Sequence, residues 1–271
     1  MDNKFGVLLD IDGCLTSSDG NVCLDYYEAN AGIARLARCG HVGDGPSIRL
    51  CSGRDRNSVE LMANFFGMVN SWMIVEGGAA LFNPTTREVK MNPAITPDME
   101  KFFKWVANKK VPAILARHRY LQRYLGYMVC QSLEKKAGSS VELEPAINDI
   151  IQRQWRRHGW SLYKWIKRRR LKVERYFNRA INIIPAGVSK GTAVKFLMGI
   201  EGWDPSWCIA VGDSESDFPL FRSVGRIGCP SNATPGCIKF VREHRGKVSI
   251  HPYTRGVLDV IDWWLGNESM G

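Results

Sequence analysis

The chain has 271 residues, is 45% hydrophobic and 24% charged, and carries a formal net charge of +10. That balance excludes a disordered chain, a collagen and a coiled coil, and no apolar run reaches the roughly 18 residues a membrane-spanning helix needs. The cysteines at 14, 23, 39, 51, 130, 208, 229 and 237 form no C-x-x-C pair; this argues against a zinc site, and a disulfide framework belongs to short secreted chains, so reduced, mostly buried thiols are expected.

In chain order, Phe5-Gly6-Val7-Leu8-Leu9 reads as a strand. It lies so near the first Met that no signal peptide is expected, and the protein is read as soluble and cytoplasmic. A turn-rich stretch, Thr16-Ser17-Ser18-Asp19-Gly20, leads into a helical pattern over about 25–38. Ser47–Cys51 is a short apolar strand ending at Ser52-Gly53-Arg54-Asp55, and 56–67 is the next helix. Trp72–Val75 is a strand followed by Glu76-Gly77-Gly78. The character then changes. Residues 98–108 and 118–136 read as amphipathic helices, and 147–170 is rich in Arg, Lys and Trp. Between 101 and 179 there are 20 Lys and Arg against 5 Asp and Glu, leaving 17 basic and 22 acidic residues elsewhere. A basic block between acidic flanks marks a domain boundary.

After an alternating strand near Ala180–Ile184 the first rhythm resumes. Lys190–Met198 is a helix, Cys208–Val211 a strand and Asp217–Ser223 a helix. A strand near Gly225–Gly228, a helix near Pro235–Glu243 and a closing helix at 256–265 complete it. Short strands alternating with helices predict an α/β fold with a Rossmann-like, doubly wound parallel sheet. The core is expected from 1–85 and 185–271, with 86–184 inserted as a basic α/β domain.

Asp10-Ile11-Asp12-Gly13 sits where the first strand ends, and open α/β sheets bind ligands beyond the carboxyl ends of their strands. Two carboxylates so placed can serve as nucleophile and proton carrier, or simply shape a turn through local hydrogen bonds. Three further signals fall at similar places. Ser52-Gly53 offers a hydroxyl and a backbone N–H to a phosphate oxygen, or an ordinary helix cap. Gly212-Asp213-Ser214-Glu215-Ser216-Asp217 offers carboxylates to a hard cation such as Mg2+. Lys190 opens a helix, where a lone lysine is ordinarily a solvated charge. The four together are far rarer by chance than any one.

This ordered set resembles the haloacid dehalogenase-like phosphatases, all four of whose motifs occur here in order. Gly187-Val188-Ser189-Lys190-Gly191-Thr192-Ala193 and Asn232-Ala233-Thr234-Pro235 resemble the Cof-type subgroup. Sucrose-phosphate, mannosyl-3-phosphoglycerate and archaeal phosphoglycolate phosphatases belong to it, and its cap is inserted between the second and third motifs. Ser52 and Lys190 are 138 positions apart, so the basic insert lies where that cap would be. The resemblance implies that Asp10 attacks phosphorus to give an aspartyl-phosphate, and that Asp12 protonates the leaving oxygen and then activates water. It places Mg2+ on Asp10, the Asp12 main-chain carbonyl and Asp213, with Asp217 as ligand or support, and the phosphoryl group on Ser52, Gly53 and Lys190. Positioning and cations supply most of the catalysis of phosphoryl transfer, and without a metal Asp10 would repel a dianionic substrate. Cys14 stands where the family usually has Thr, and Ser216 where many Cof-type members have Asn.

Within the insert, Gln152–Phe177 interleaves Trp155, Trp160, Tyr163 and Trp165 with Arg and Lys. That pattern fits three roles: a nucleic-acid surface, a cap helix with a solvated basic face, or cations that select a doubly anionic substrate. His118 and His158 are isolated and receive no role. The intact core motifs put a small phosphorylated substrate ahead of nucleic acid as the ligand. A sugar phosphate or a phosphorylated carboxylic acid such as phosphoglycolate fits, and a phosphotransferase that delivers to a hydroxyl is the alternative enzyme.

Overall fold

A computed structural model describes residues 5–17, 27–42, 45–68, 70–153, 171–176 and 179–266. β1 (Gly6–Leu9) carries Val7, Leu8 and Leu9, all fully buried. Such an unbroken apolar run belongs to a parallel strand covered on both faces, and each side chain contributes about 1.5–3 kcal/mol by burial. α1 (Tyr27–Val42), β2 (Ser47–Leu50) and α2 (Arg56–Phe65) follow. Asp55 starts α2 as an N-cap, accepting the N–H groups of Asn57 at 2.9 Å and Ser58 at 3.4 Å. β3 (Met73–Val75) joins β4 (Ala80–Phe82) and β5 (Val89–Met91) in a small antiparallel sheet. A single parallel bridge, Cys51 to Ile74, ties β3 to the strand beside it.

The chain divides into two compact units, one of Met1–Asn92 with Ser189–Gly271 and one of Pro93–Val188. In the second, Thr96 and Pro97 open α3 (Pro97–Trp105), which runs through a π-helical turn, Val106–Lys110, into α4 (Val111–Arg117). Then come β6 (Leu121–Arg123), β7 (Gln131–Lys135), α5 (Glu144–Asn148), β8 (Leu171–Tyr176) and β9 (Ala180–Pro185). The four strands form an antiparallel sheet in the order β6-β7-β9-β8.

The helix expected over 118–136 is therefore replaced by two strands. Gly126 has φ 136°, outside any helix, and Leu125, which would have stood in the apolar stripe, is 77% exposed. Pairing of β7 with both β6 and β9 buries Leu133 beside Ile181. That long-range gain overrides the local helical spacing. The Trp- and Arg-rich stretch at 154–170 lies outside the described residues, as do Cys23 and His158.

The chain returns through α6 (Lys190–Glu201), β10 (Ile209–Val211), α7 (Phe218–Phe221), β11 (Arg226–Cys229), α8 (Pro235–Glu243), β12 (Lys247–Val248) and α9 (Tyr253–Gly266). The main sheet is parallel throughout, in the order β12-β11-β10-β1-β2. From β1 the chain steps outward to β2 and later resumes on the other side at β10. The strand order thus reverses between β1 and β10, where open α/β sheets leave a crevice. The described cysteines are all free thiols, buried except for the half-buried Cys39. Among the described residues no helix is long and apolar enough to cross a membrane.

Candidate active site

Asp10 is the first residue past β1, and its N–H donates to the carbonyl of Val211 at the end of β10 at 3.0 Å. Parallel pairing of Leu9 with Val211 brings the loops after both strands to one edge of the sheet. The Asp10 carboxylate is buried; Oδ1 accepts its neighbour's N–H, from Ile11, at 2.8 Å, and Oδ2 lies 2.8 Å from Lys190 Nζ. The same ammonium donates to Asp217 Oδ1 at 2.6 Å.

Lys190 reaches this position because α6 begins there. Ser189 caps the helix, its side chain accepting the Thr192 N–H at 3.2 Å, while Thr192 Oγ1 accepts the Ser189 N–H at 3.0 Å. The Glu76-Gly77-Gly78 turn supports the helix start from behind. At Gly78, with φ 103°, a Cβ would lie 2.1 Å from the Ser189 carbonyl oxygen. A glycine is required there by both conformation and space.

Asp217 is fully buried, and its second oxygen accepts the N–H groups of Asp213 at 3.1 Å and Ser214 at 3.2 Å. Both of its oxygens are thus committed to protein groups. Asp213 completes the cluster: one oxygen each from Asp10, Asp213 and Asp217 lie within 4.8 Å of one another. Gly13, with φ 74°, lets the loop after β1 press against it, since a Cβ there would meet Asp213 Oδ2 at 2.1 Å.

Three carboxylates face one ammonium, and the imbalance shows in their acidity. Burial pushes Asp10 well above the usual carboxylate range; Lys190 pulls it back, and Asp217, Asp213 and Asp12 raise it further. Asp213 is pushed up to about 7, by burial and then by Asp217. Burial would lower Lys190, but Asp10 and Asp217 outweigh it and hold the ammonium well above its ordinary value. Cys14, fully buried beside the cluster, has its thiol raised well up by burial and by Asp213, so it stays neutral. An all-oxygen donor set with two negative charges in excess when ionised is what a hard dication requires.

Of the residues singled out in the sequence, Asp10, Lys190, Asp213 and Asp217 are brought together in one cluster. Asp12 is held by a different partner: its carboxylate is gripped by Arg54, with Nε at 3.1 Å from Oδ2 and Nη2 at 2.6 Å from Oδ1. Ser52, fully buried, follows β2, the strand paired with β1, and its Oγ accepts the Arg54 N–H at 3.1 Å. Gly53 is exposed next to it. Arg54 was given no role by sequence reasoning. Its only signal was adjacency to Ser52-Gly53, because the partner lies 42 residues away in the chain. Asn232 and Gly78 lie in stretches that the sequence singles out, but their roles were not legible there, since their partners are backbone atoms that no pattern of side chains reports.

A family model described as haloacid dehalogenase-like hydrolase matches residues 7–261. The phosphoglycolate phosphatase of Thermoplasma acidophilum is 20% identical over 226 residues, covering 83% of this chain and 84% of that protein. A haloacid dehalogenase-like hydrolase from Bacteroides thetaiotaomicron has a similar solved structure, with a TM-score of 0.67 at 17% identity over 96% of this chain and 98% of that one. The sucrose-phosphatase of Synechocystis, solved with sucrose and phosphate, superimposes with a TM-score of 0.62 at 14% identity over 97% and 98%. At these identities the two structural likenesses speak to the fold.

Proposed function

The chain belongs to the haloacid dehalogenase-like hydrolases, and from that membership we propose that it is a Mg2+-dependent phosphatase of a small phosphorylated metabolite. The observation that carries this reading is the buried contact of Asp10 with Lys190, beside Asp213 and Asp217, at the carboxyl end of β1. In this proposal an Asp10 oxygen attacks phosphorus while the bond to the leaving oxygen breaks, giving an aspartyl-phosphate. Asp12 hands a proton to the leaving oxygen, then takes one from the water that attacks the same phosphorus. As the water oxygen bonds to phosphorus, the bond between the Asp10 oxygen and phosphorus breaks, inorganic phosphate departs, Asp10 is again a carboxylate and Asp12 again carries its proton.

Asp10, Asp213 and the main-chain carbonyl of Asp12 are the ligands we assign to Mg2+. With both oxygens already engaged, Asp217 serves as support: it holds Lys190 and the loop of Asp213 in place. When bound, the ion neutralises charge on the carboxylates and on the phosphoryl group. Ser52, Gly53 and Lys190 are assigned to the phosphoryl oxygens. Residues 93–188 are proposed as a cap that selects the substrate, a sugar phosphate or a phosphorylated carboxylic acid. The name of the Thermoplasma relative and the sucrose and phosphate seen with the Synechocystis enzyme support that choice.

The test is release of inorganic phosphate from a broad panel of phosphomonoesters, with Mg2+ and with EDTA. Release that requires Mg2+ and is lost in Asp10→Asn is expected. Absence of release from every ester, or full activity in EDTA, would overturn the reading.

A further inference from the structure

The Asn232-Ala233-Thr234-Pro235 motif takes no part in the chemistry assigned above, yet its segment fastens three loops at once. The Ser231 N–H donates to the carbonyl of His251 at 2.9 Å, and the Thr234 N–H to that of Asp213 at 2.8 Å. Between them, Asn232 Nδ2 donates to the Gly13 carbonyl at 2.9 Å, across 219 residues, and Asn232 Oδ1 accepts the Tyr253 N–H at 2.7 Å. A carbonyl only accepts and a backbone N–H only donates, so this amide has a single orientation and uses both of its ends.

What Asn232 holds is the turn that presents Asp10 and Asp12. Within it the Ile11 carbonyl accepts the N–H groups of Cys14 at 3.2 Å, Leu15 at 2.8 Å and Thr16 at 3.0 Å. The turn is closed on itself there, and its Gly13 carbonyl is left to an outside donor. Arg54 grips the Asp12 side chain, Asp213 presses on Gly13, and the buried Thr254 hydroxyl reaches the Leu15 carbonyl at 3.4 Å. The Asn232 side chain joins this turn to the start of α9 at Tyr253, itself at φ 49°, as the Thr254 hydroxyl also does, while the Thr234 N–H two residues on holds the loop of Asp213.

We propose that Asn232 is a positioning residue, which sets the distance between the Asp10–Asp12 turn and Asp213 and so governs turnover rather than substrate binding. This rests on the phosphatase reading above. Asn232→Asp keeps the acceptor for Tyr253 but sets a carboxylate oxygen against the Gly13 carbonyl, and Asn232→Ala removes both bonds. Steady-state hydrolysis of p-nitrophenyl phosphate should show kcat lowered about 10- to 100-fold in both variants, the scale of a small misplacement of reacting groups. KM and inhibition by inorganic phosphate should stay within about twofold.

Hydrogen exchange provides an arm that needs no activity. The amides of 14–16 and of 253 should exchange faster in the variants, with the rest of the core unchanged. A kcat within about twofold of the parent enzyme would overturn the proposal. So would a loss that matches the unfolded fraction, or failure of both variants to fold, since each marks a purely structural role. Should the parent protein hydrolyse no phosphate ester, the phosphatase reading falls by itself. Exchange then decides: faster exchange confined to those amides supports the brace, and unchanged or uniform exchange refutes it.

Discussion

The Asp213 carboxyl offers the sharpest test of the cluster, because its pKa of about 7 falls where pH is easily varied. At about pH 8 the group is mostly ionised, whereas at about pH 5 roughly one molecule in a hundred carries the charge. A dication that depends on that charge must displace a proton at the lower pH. Its apparent affinity should fall about 100-fold across the interval, or ~2.7 kcal/mol, and Asp10, also raised, should steepen the dependence. The sign for the ion-free protein follows from the same shift. The folded pKa lies above the unfolded one, so the folded state holds the extra proton between about pH 4 and 7. Stability is highest at the acid end and declines as pH rises through about 7, by at most about 4 kcal/mol from this group. Thermal unfolding with saturating Mg2+ and with EDTA, at several pH values from about 5 to 8, measures both effects. The gap between the two melting temperatures should widen with pH, as mass action requires. An equal gap at both ends, or an ion-free protein that grows more stable toward pH 8, would refute the reasoning.

Asp10→Asn should cost at least ~10³-fold in kcat, because an amide does not attack phosphorus, while its melting temperature should not fall, since one carboxylate leaves an over-negative cluster; circular dichroism and phosphate release check both. Lys190→Met strips the ammonium from Asp10 and Asp217, and loss of one partner of a buried ion pair costs about 3–5 kcal/mol. Denaturant unfolding should show part of that recovered in the double variant Lys190→Met with Asp217→Asn. Gly78→Ala forces a side chain into the Ser189 carbonyl at a left-handed φ and should destabilise by about 1–3 kcal/mol. It should lower activity as well, because the displaced helix end carries Lys190; Gly77→Ala, with open space around its Cβ, is the milder comparison. Arg54→Gln frees the Asp12 carboxylate and should lower kcat more than it raises KM in steady-state assays.

The sequence alone was enough for whatever depends on neighbours in the chain. Apolar runs located β1, β2 and β10, and alternation located β9; caps and turn-formers located α2, α6 and α8; and the strand ends located Asp10, Ser52 and Asp213. Burial on a parallel sheet leaves an unbroken apolar run, and a helix cap leaves a short polar signature, so both are written locally. Only the tertiary structure decided the rest. Residues 118–136 carry a helical spacing, yet β7 gains more by pairing with β9 across about fifty positions than a local helix would return. The β4–β5 hairpin lies in short runs with little periodicity of their own. Arg54 meets Asp12, and Asn232 meets Gly13, through contacts that span 42 and 219 residues, one of them to a backbone atom that any residue type would supply. A linear pattern records what each residue prefers; which carbonyl faces which amide is set only when the sheet order has closed.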